Sequence, residues 1–386
     1  MENERPDNAL TIDEFDDKSS HSRRDFLQSL LFGTALVATG INAHAQPMPQ
    51  QNSGRKLGVA LLGLGRYATG ELGPALKQTK LCQLAGIITG TPAKAEKWTA
   101  EYNLNSKNVY NYENMDRIVE NKDIDIIYVV TPPSLHPEFA IRAAKAGKHV
   151  ISEKPMATSM TDCDRMIAAC KAAKVHLGIG YRLHYDPYHR EMERIGKTQE
   201  FGRFEKMTGG FGYVMRQREH RIIKNLSGGG ALMDVGIYVV HAACMATGDV
   251  PEYVTAKEEP KLNPELFNEV EETITWTMEF TKGEKCEGLA SFNRGANQFR
   301  LDGKKGWMEL RSAFSYRGIN GETSRGPLSF PAASQQAAQI DDFADCVLTG
   351  RKTSVPGELG RRDVGILMAI YEAARTGKRV KVEAAK

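Results

Sequence analysis

The sequence predicts two linked domains: a doubly wound α/β domain on a parallel sheet, then an α+β domain with a large open, predominantly antiparallel sheet. Three observations carry this expectation. Short apolar runs alternate with helical stretches between residues 57 and 180, the pattern of a parallel sheet covered by helices on both faces. Beyond Tyr181 such runs follow one another with polar turns, and Thr273 to Phe280 alternate in polarity, as antiparallel strands with one solvated face do. The chain has 386 residues and 41% hydrophobic content, enough for two cores.

In the first domain, strands are expected over 57–62, 84–88, 124–130, 148–152 and 175–180. All are short, and 124–130 is β-branched or aromatic apart from Asp125, which suits a strand buried on both faces. Helices are expected over 67–78, 93–102, 135–146 and 161–173, with Gly147 stopping the third. In the second domain, strands are expected over 201–212, 254–257, 272–281, 285–293, 298–302 and 306–311. Amphipathic helices follow over 334–348 and 358–376, the latter presenting Leu359, Ile366, Leu367 and Ile370.

Residues 1–45 read as a targeting segment. Ser22-Arg23-Arg24-Asp25-Phe26-Leu27 is a twin-arginine pattern, 27–41 is apolar, and Ala43-His44-Ala45 offers small residues for cleavage. The apolar stretch is shorter than the ~20 residues a bilayer span needs, so export to the periplasm is expected rather than a stable membrane span. Residues 46–56 form a Pro/Gln/Ser/Gly-rich arm, which leaves 57–180 and 181–386 as the two domains. Residues 1–45 hold 4 of the 51 basic and 8 of the 48 acidic groups, so the remainder carries 47 against 40. That excess is scattered, which argues against nucleic-acid binding. The six cysteines show no C-x-x-C pair and read as buried apolar residues. With scattered histidines and no H-E-x-x-H, no metal is expected.

The chemistry begins at Gly63-Leu64-Gly65-Arg66-Tyr67-Ala68, between the first strand and first helix. In that setting Gly63 permits the tight turn, Gly65 lets the backbone approach a pyrophosphate, and Ala68 allows close helix–strand packing. Arg66 could stack on adenine. The second strand ends at Thr89-Gly90-Thr91-Pro92-Ala93-Lys94, with no carboxylate between Leu84 and Lys94. An NAD site places an acidic group there, whereas the Thr89 hydroxyl and Lys94 ammonium suit a 2′-phosphate. NADP is the expected cofactor. Thr131, Pro132 and His136 follow the strand at 124–130 and are expected to line its nicotinamide side.

Glu153-Lys154-Pro155 closes the strand at 148–152. Oxidising a carbinol requires a base for the hydroxyl proton and positive charge beside the developing alkoxide. Lys154 can supply the charge and favour the anion of a neighbouring phenol. Tyr238 is the candidate phenol. Asp234 lies one helical turn earlier on the same face, placed for a sugar hydroxyl or for Lys154. Gly228-Gly229-Gly230 indicates a close backbone approach, at a substrate or at a turn. Tyr181, Arg182 and His184, at the domain junction, offer sugar hydrogen-bonding groups, and specificity is expected from loops around Arg182, His184 and 216–221. His241 could share the pocket or be a buried, hydrogen-bonded histidine.

Taken together, Gly63-Leu64-Gly65, 152–158, 180–187, 228–238 and 369–377 resemble the glucose-fructose oxidoreductase group of the Gfo/Idh/MocA oxidoreductase family. The lysine–proline motif is shared across that family. Asp234-x-x-x-Tyr238 discriminates more, since many relatives look as if they carry histidine at the second position. The resemblance implies a Rossmann domain, a homodimer or homotetramer built on the open sheet, and tightly held NADP. It also implies that one sugar is oxidised to a lactone and a second reduced, with Lys154, Asp234 and Tyr238 catalytic. Gly63, Gly65, Arg66, Tyr67, Ala68, Thr89, Lys94, Thr131, Pro132, His136, Glu153 and Arg182 would serve the cofactor, and Tyr181, Arg182 and His184 the sugar. The arm at 46–56 is shorter than the group's, which leaves open a dehydrogenase that exchanges NADP each turnover. An exported glycosidase using NAD transiently, and a non-catalytic sensor, are the remaining alternatives.

Overall fold

The computed structural model describes residues 55–383. The twin-arginine segment, its cleavage site and most of the 46–56 arm lie outside the described residues. The first sheet has six strands: β1 (Leu57–Leu62), β2 (Cys82–Ile88), β3 (Val109–Tyr110), β4 (Ile126–Val129), β5 (His149–Ser152) and β6 (Leu177–Ile179), in the order β3-β2-β1-β4-β5-β6. Every pairing is parallel. All of β1 and β4 is buried, because the crossover helices cover both faces. Those helices are α1 (Ala68–Leu76, its first turn π-helical), α2 (Pro92–Tyr102), α3 (His136–Lys145) and α4 (Met160–Ala173). The two-residue β3 was not expected, as it is too short to show a period.

A helix α5 (Pro187–Thr198) leads into the second sheet, capped by the Asp186 carboxylate, which accepts from the N–H of Tyr188 at 3.0 Å. Strand β7 (Phe204–Gly212) is followed by α6 (Leu232–Thr247, again opening with a π-helical turn), β8 (Pro251–Glu258), β9 (Thr273–Phe280) and β10 (Lys285–Ser291). Strands β11 (Ala296–Gly303), β12 (Gly306–Arg311), β13 (Asn320–Thr323) and β14 (Gly326–Leu328) come next. The chain ends in α7 (Gln335–Thr349), α8 (Gly357–Thr376) and β15 (Val380–Lys381). The nine strands run β14-β13-β12-β11-β7-β10-β9-β8-β15, antiparallel except for the β7–β10 pair. One face packs on α6 and α8. The other is polar and bears cross-strand ion pairs such as Lys206–Glu287 at 2.9 Å.

Two packing features position the site. Helix α7 crosses back to the first sheet, where Ile340, Phe343, Ala344 and Val347 join Leu57, Val59, Leu61 and Tyr128 in one core. The segment Lys224–Thr247 is apolar and long enough to cross a membrane, yet 89% of its apolar window is buried in the protein. It serves as a core support for the residues that α6 carries. All six cysteines are free and buried.

Candidate active site

The loops leaving the carboxyl ends of β1, β4 and β5 meet at one edge of the first sheet, beside the reversal of strand order between β1 and β4. Open α/β sheets bind ligands in that crevice. Gly63 has φ of 95°, and a Cβ there would stand 2.8 Å from the Val130 carbonyl oxygen, so backbone conformation and close approach both require glycine. At Gly65 a Cβ would meet nothing within 4 Å. The space beside that backbone is open. Ala68 is fully buried, and no side chain caps the turn that follows Tyr67, which leaves N–H groups to a ligand. Thr131 abuts Gly63, and its Oγ1 is buried with no hydrogen-bond partner, a cost that a bound polar group would remove. These observations fit a dinucleotide.

At the end of β2, Thr89 is buried and its Oγ1 accepts the Thr91 N–H at 3.3 Å. Thr89 therefore shapes the turn, while Thr91 is exposed and Lys94 half-buried on the first turn of α2. Pro132 opens a single 3-10 turn, Pro133–Leu135. His136 is an internal clamp: its ring nitrogens face the carbonyls of Thr131 at 2.7 Å and Pro155 at 3.0 Å. Burial pushes its imidazole down to about 4, against those two carbonyls. It ties the β4 loop to the Lys154–Pro155 loop. Glu153, expected at the cofactor, turns inward. Its carboxylate accepts from the Tyr128 hydroxyl at 2.7 Å and the Lys154 N–H at 3.1 Å, and Gln339 on α7 donates to Tyr128 at 2.7 Å. Burial raises the Glu153 carboxyl despite these bonds.

Lys154, Asp234 and Tyr238 are brought together. The Lys154 ammonium donates to the Asp234 carbonyl at 2.8 Å, lies 3.7 Å from Asp234 Oδ1, and sits 4.5 Å above the centre of the Tyr238 ring. It thus approaches the phenol over the ring face. Arg182 supplies a second cation, its guanidinium lying 5.1 Å from the ring centre. Phe211 and Phe314 pack the ring at 5.4 and 6.0 Å. The other Asp234 oxygen, Oδ2, accepts from the Tyr213 hydroxyl at 3.0 Å and pairs with Arg221 at 3.3 Å. Burial opposes the Asp234 charge, but Arg221, Lys154 and the Tyr213 hydroxyl outweigh it and hold the carboxyl below its ordinary value.

The remaining expected residues separate into two groups. Arg182 is buried, donating to the carbonyls of Phe314 at 2.6 Å and Ser315 at 3.0 Å and to Gln335. It is an anchor between Tyr316, 4.2 Å away, and Tyr238. Tyr67 stacks on Tyr316 at 5.7 Å, and Arg66 pairs with Glu219, so the fingerprint turn touches the second domain twice. Tyr181 and His184 fall elsewhere, in an interior cluster. Tyr181 stacks on His241 at 4.1 Å, and His241 faces Asp363 at 2.9 Å. His184 lies edge-on to His241, and burial pushes its imidazole down to about 4. His241 is thus the buried, hydrogen-bonded histidine of the two expected alternatives.

The glycine triplet also resolves. A Cβ on Gly228 would collide with Thr158, on Gly229 with the Tyr371 hydroxyl, and on Gly230 with the Glu271 carbonyl. The close approach is internal packing. Glu271 then caps α6 from the side, accepting from the N–H groups of Gly230 and Leu232, both at 2.9 Å, and from Tyr371 at 2.8 Å. Sequence reasoning missed Tyr213, Tyr316, Glu271, Gln335 and Gln339, and it treated Arg221 only as part of a specificity loop. The spacing of Gln335 and Gln339 on one helix face was the available signal. Among the described residues no group of three or more His, Cys, Asp or Glu could hold a metal ion.

Fold and site together define a dinucleotide-dependent oxidoreductase. Residues 57–181 match the oxidoreductase family with an NAD-binding Rossmann fold, and 189–309 match the GFO/IDH/MocA C-terminal domain; the chain belongs to the GFO/IDH/MocA family. The crystal structure of an aldose-aldose oxidoreductase from Caulobacter crescentus, complexed with glycerol, is 39% identical. It aligns with a TM-score of 0.83 over 85% of this chain and 100% of that one. The D-xylose 1-dehydrogenase [NADP(+)] of Haloarcula marismortui is 24% identical over 84% of this chain and 92% of that enzyme. A 3-ketoreductase from Actinomadura kijaniata, solved with NADP and TDP-benzene, shares the fold at 22% identity and TM-score 0.72, over 83% of this chain and 98% of that one.

Proposed function

We infer that this protein is an exported NADP-dependent sugar oxidoreductase that oxidises an aldose to its lactone and returns the reducing equivalents to a second sugar. The observation that carries this reading is the convergence of Lys154, Asp234 and Tyr238 beside the open Gly65 turn. The aldose-aldose oxidoreductase and the NADP-dependent xylose dehydrogenase support the substrate class and cofactor. Gly63, Gly65 and Thr131 would hold the pyrophosphate side, and Thr91 with Lys94 the adenosine phosphate. Bound NADP supplies the acceptor for the hydride that leaves the carbinol carbon, and later its donor.

The chain's own groups do the rest. The Lys154 ammonium, largely shielded from solvent, stands where the sugar oxygen becomes an alkoxide. The phenolate form of Tyr238 accepts the hydroxyl proton and becomes the phenol, with the Arg182 guanidinium 5.1 Å from its ring centre. Asp234 Oδ1, facing Lys154, can accept a second sugar hydroxyl, because Oδ2 is already held by Tyr213 and Arg221. In the return half-reaction Tyr238 gives the proton back to the second sugar's carbonyl oxygen. Twin-arginine export and an oligomer built on the exposed sheet face belong to the same reading.

The test is to purify the exported protein, release its ligand by denaturation for mass spectrometry, and mix the protein with an aldose and a second sugar. Bound NADP with lactone and polyol in equal amounts is expected. No cofactor and no lactone, even with added NADP, overturns the reading. The short arm at 46–56 favours a second reading, in which the cofactor exchanges freely; continuous absorbance change with one aldose and free NADP selects it. The glycosidase alternative drew on the export signal and on a free His241; the second support is weakened, because His241 is engaged by Asp363 and Tyr181.

A further inference from the structure

A line of alternating charge runs from the cofactor turn to the catalytic lysine. Arg66, on the fingerprint, pairs with Glu219. Glu219 also accepts from Arg221 at 2.6 Å, Arg221 reaches Asp234 Oδ2 at 3.3 Å, and Asp234 Oδ1 stands 3.7 Å from the Lys154 ammonium. Side-chain exposure drops from 73% at Arg66 to between 21% and 29% at Glu219, Arg221 and Asp234, and to 12% at Lys154. The outer end is therefore open to an arriving ligand, while the inner end is largely desolvated, where charges are felt strongly. Glu219 cannot serve Arg66 and Arg221 equally once either is drawn elsewhere.

We propose that Arg221 is a positioning residue that fixes the Asp234 carboxylate for the sugar and, through the shared Glu219, couples it to Arg66 on the cofactor turn. Arg221 and the Tyr213 hydroxyl together occupy Oδ2, so the carboxylate is held with Oδ1 toward Lys154. Around Asp234 stand Lys154 from the β5 loop, Arg221, His220 and Glu219 from the segment after β7, Tyr213 at the end of β7, Tyr316 from the β12–β13 connection, and Tyr238 on its own helix. Arg221 and Lys154 are the two cations among the groups that keep this carboxyl ionised, and Arg221 is the stronger. The inference rests on the sugar-oxidoreductase reading of the site for its kinetic half. Its cofactor half depends on the Arg66–Glu219 and Glu219–Arg221 pairs and not on the sugar.

The experiment uses the full chain, with Arg221→Gln, Arg221→Lys, Arg66→Ala and the Arg66→Ala/Arg221→Gln pair. D-glucose and D-xylose serve as probes, and NADP affinity is read by titration without sugar. For Arg221→Gln, the acid limb of kcat/KM should move up by roughly one pH unit or more, since a nearby countercharge is worth that much to a carboxyl. At neutral pH kcat should fall roughly tenfold, and Arg221→Lys should recover part of both. NADP affinity should fall severalfold in Arg221→Gln, because Glu219 then holds Arg66 undivided, and this effect should vanish in the Arg66→Ala background. An unmoved acid limb, or strict additivity with Arg66→Ala, overturns the proposal. Lys154→Met judges the underlying reading separately: parental turnover in that variant sinks the reading, while the NADP cycle still decides the Arg221–Arg66 link.

Discussion

Replacing Tyr238 by phenylalanine removes one oxygen and leaves the surrounding packing in place. The ring keeps its neighbours Phe211 at 5.4 Å and Phe314 at 6.0 Å, and Lys154 stays 4.5 Å above it. Arg182 keeps the carbonyls of Phe314 and Ser315 and the amide of Gln335. Stability should therefore change by about 1 kcal/mol at most, no more than the net worth of one hydrogen bond. Catalysis should suffer far more. A positioned acid–base group contributes roughly 10²–10⁴-fold, or about 3–5 kcal/mol on the barrier. Stopped-flow reduction of protein-bound NADP by an aldose reads that step, with thermal unfolding and NADP titration as controls. The variant should unfold within a few degrees of the parent, bind NADP equally and reduce it at least a hundredfold more slowly (~10² as the lower bound). A rate within threefold of the parent would refute the assignment of Tyr238 as proton carrier.

Three further outcomes follow from the geometry. Glu271→Gln leaves one carbonyl oxygen to face three donors, so unfolding should become easier by about 2–4 kcal/mol, from one or two unsatisfied buried groups; an unchanged melting temperature would contradict the capping role of Glu271. Gly63→Ala forces a Cβ against the Val130 carbonyl at a φ of 95°. NADP binding should be lost in calorimetry even where circular dichroism shows a folded protein, and retained affinity would count against the cradle. Burial holds His136 and His184 down at about 4 against an ordinary 6.5. The unfolded chain therefore binds protons first as pH falls, and their stabilisation is present above about 6.5 and lost toward about 4. Melting temperature measured across that range should drop, and less steeply in His184→Gln; a flat profile would show that these rings are not buried in neutral form.

Five of the six parallel strands were legible because they are short apolar runs separated by stretches of helical composition. The antiparallel strands were legible from alternation, as in Thr273 to Phe280. Strands β3, β13, β14 and β15 were not: they are as short as β4, β5 and β6 or shorter, but lack the continuous apolar run that marks those three. Helix α7 read as amphipathic, yet nothing in its own periodicity says that its apolar face fills the first domain's core. At the site, Lys154, Asp234 and Tyr238 stood out through motif and helical spacing. Tyr213, Arg221 and Tyr316 did not, because they arrive on irregular loops whose paths are set by packing. The glycine triplet announced a close approach without saying to what; Thr158, Tyr371 and Glu271 answer that only in three dimensions.

The central claim is that Lys154, Asp234 and Tyr238 serve hydride exchange between sugars through a resident or exchanging NADP. The most direct measurement is a single-turnover experiment on the purified protein loaded with NADP. D-glucose is added first, while the absorbance band of reduced nicotinamide is followed, and a second sugar is added afterwards. The account predicts that the band rises to one equivalent with formation of lactone, then disappears as the second sugar is reduced. A loaded protein whose band never rises with D-glucose, D-xylose or other aldoses would contradict it.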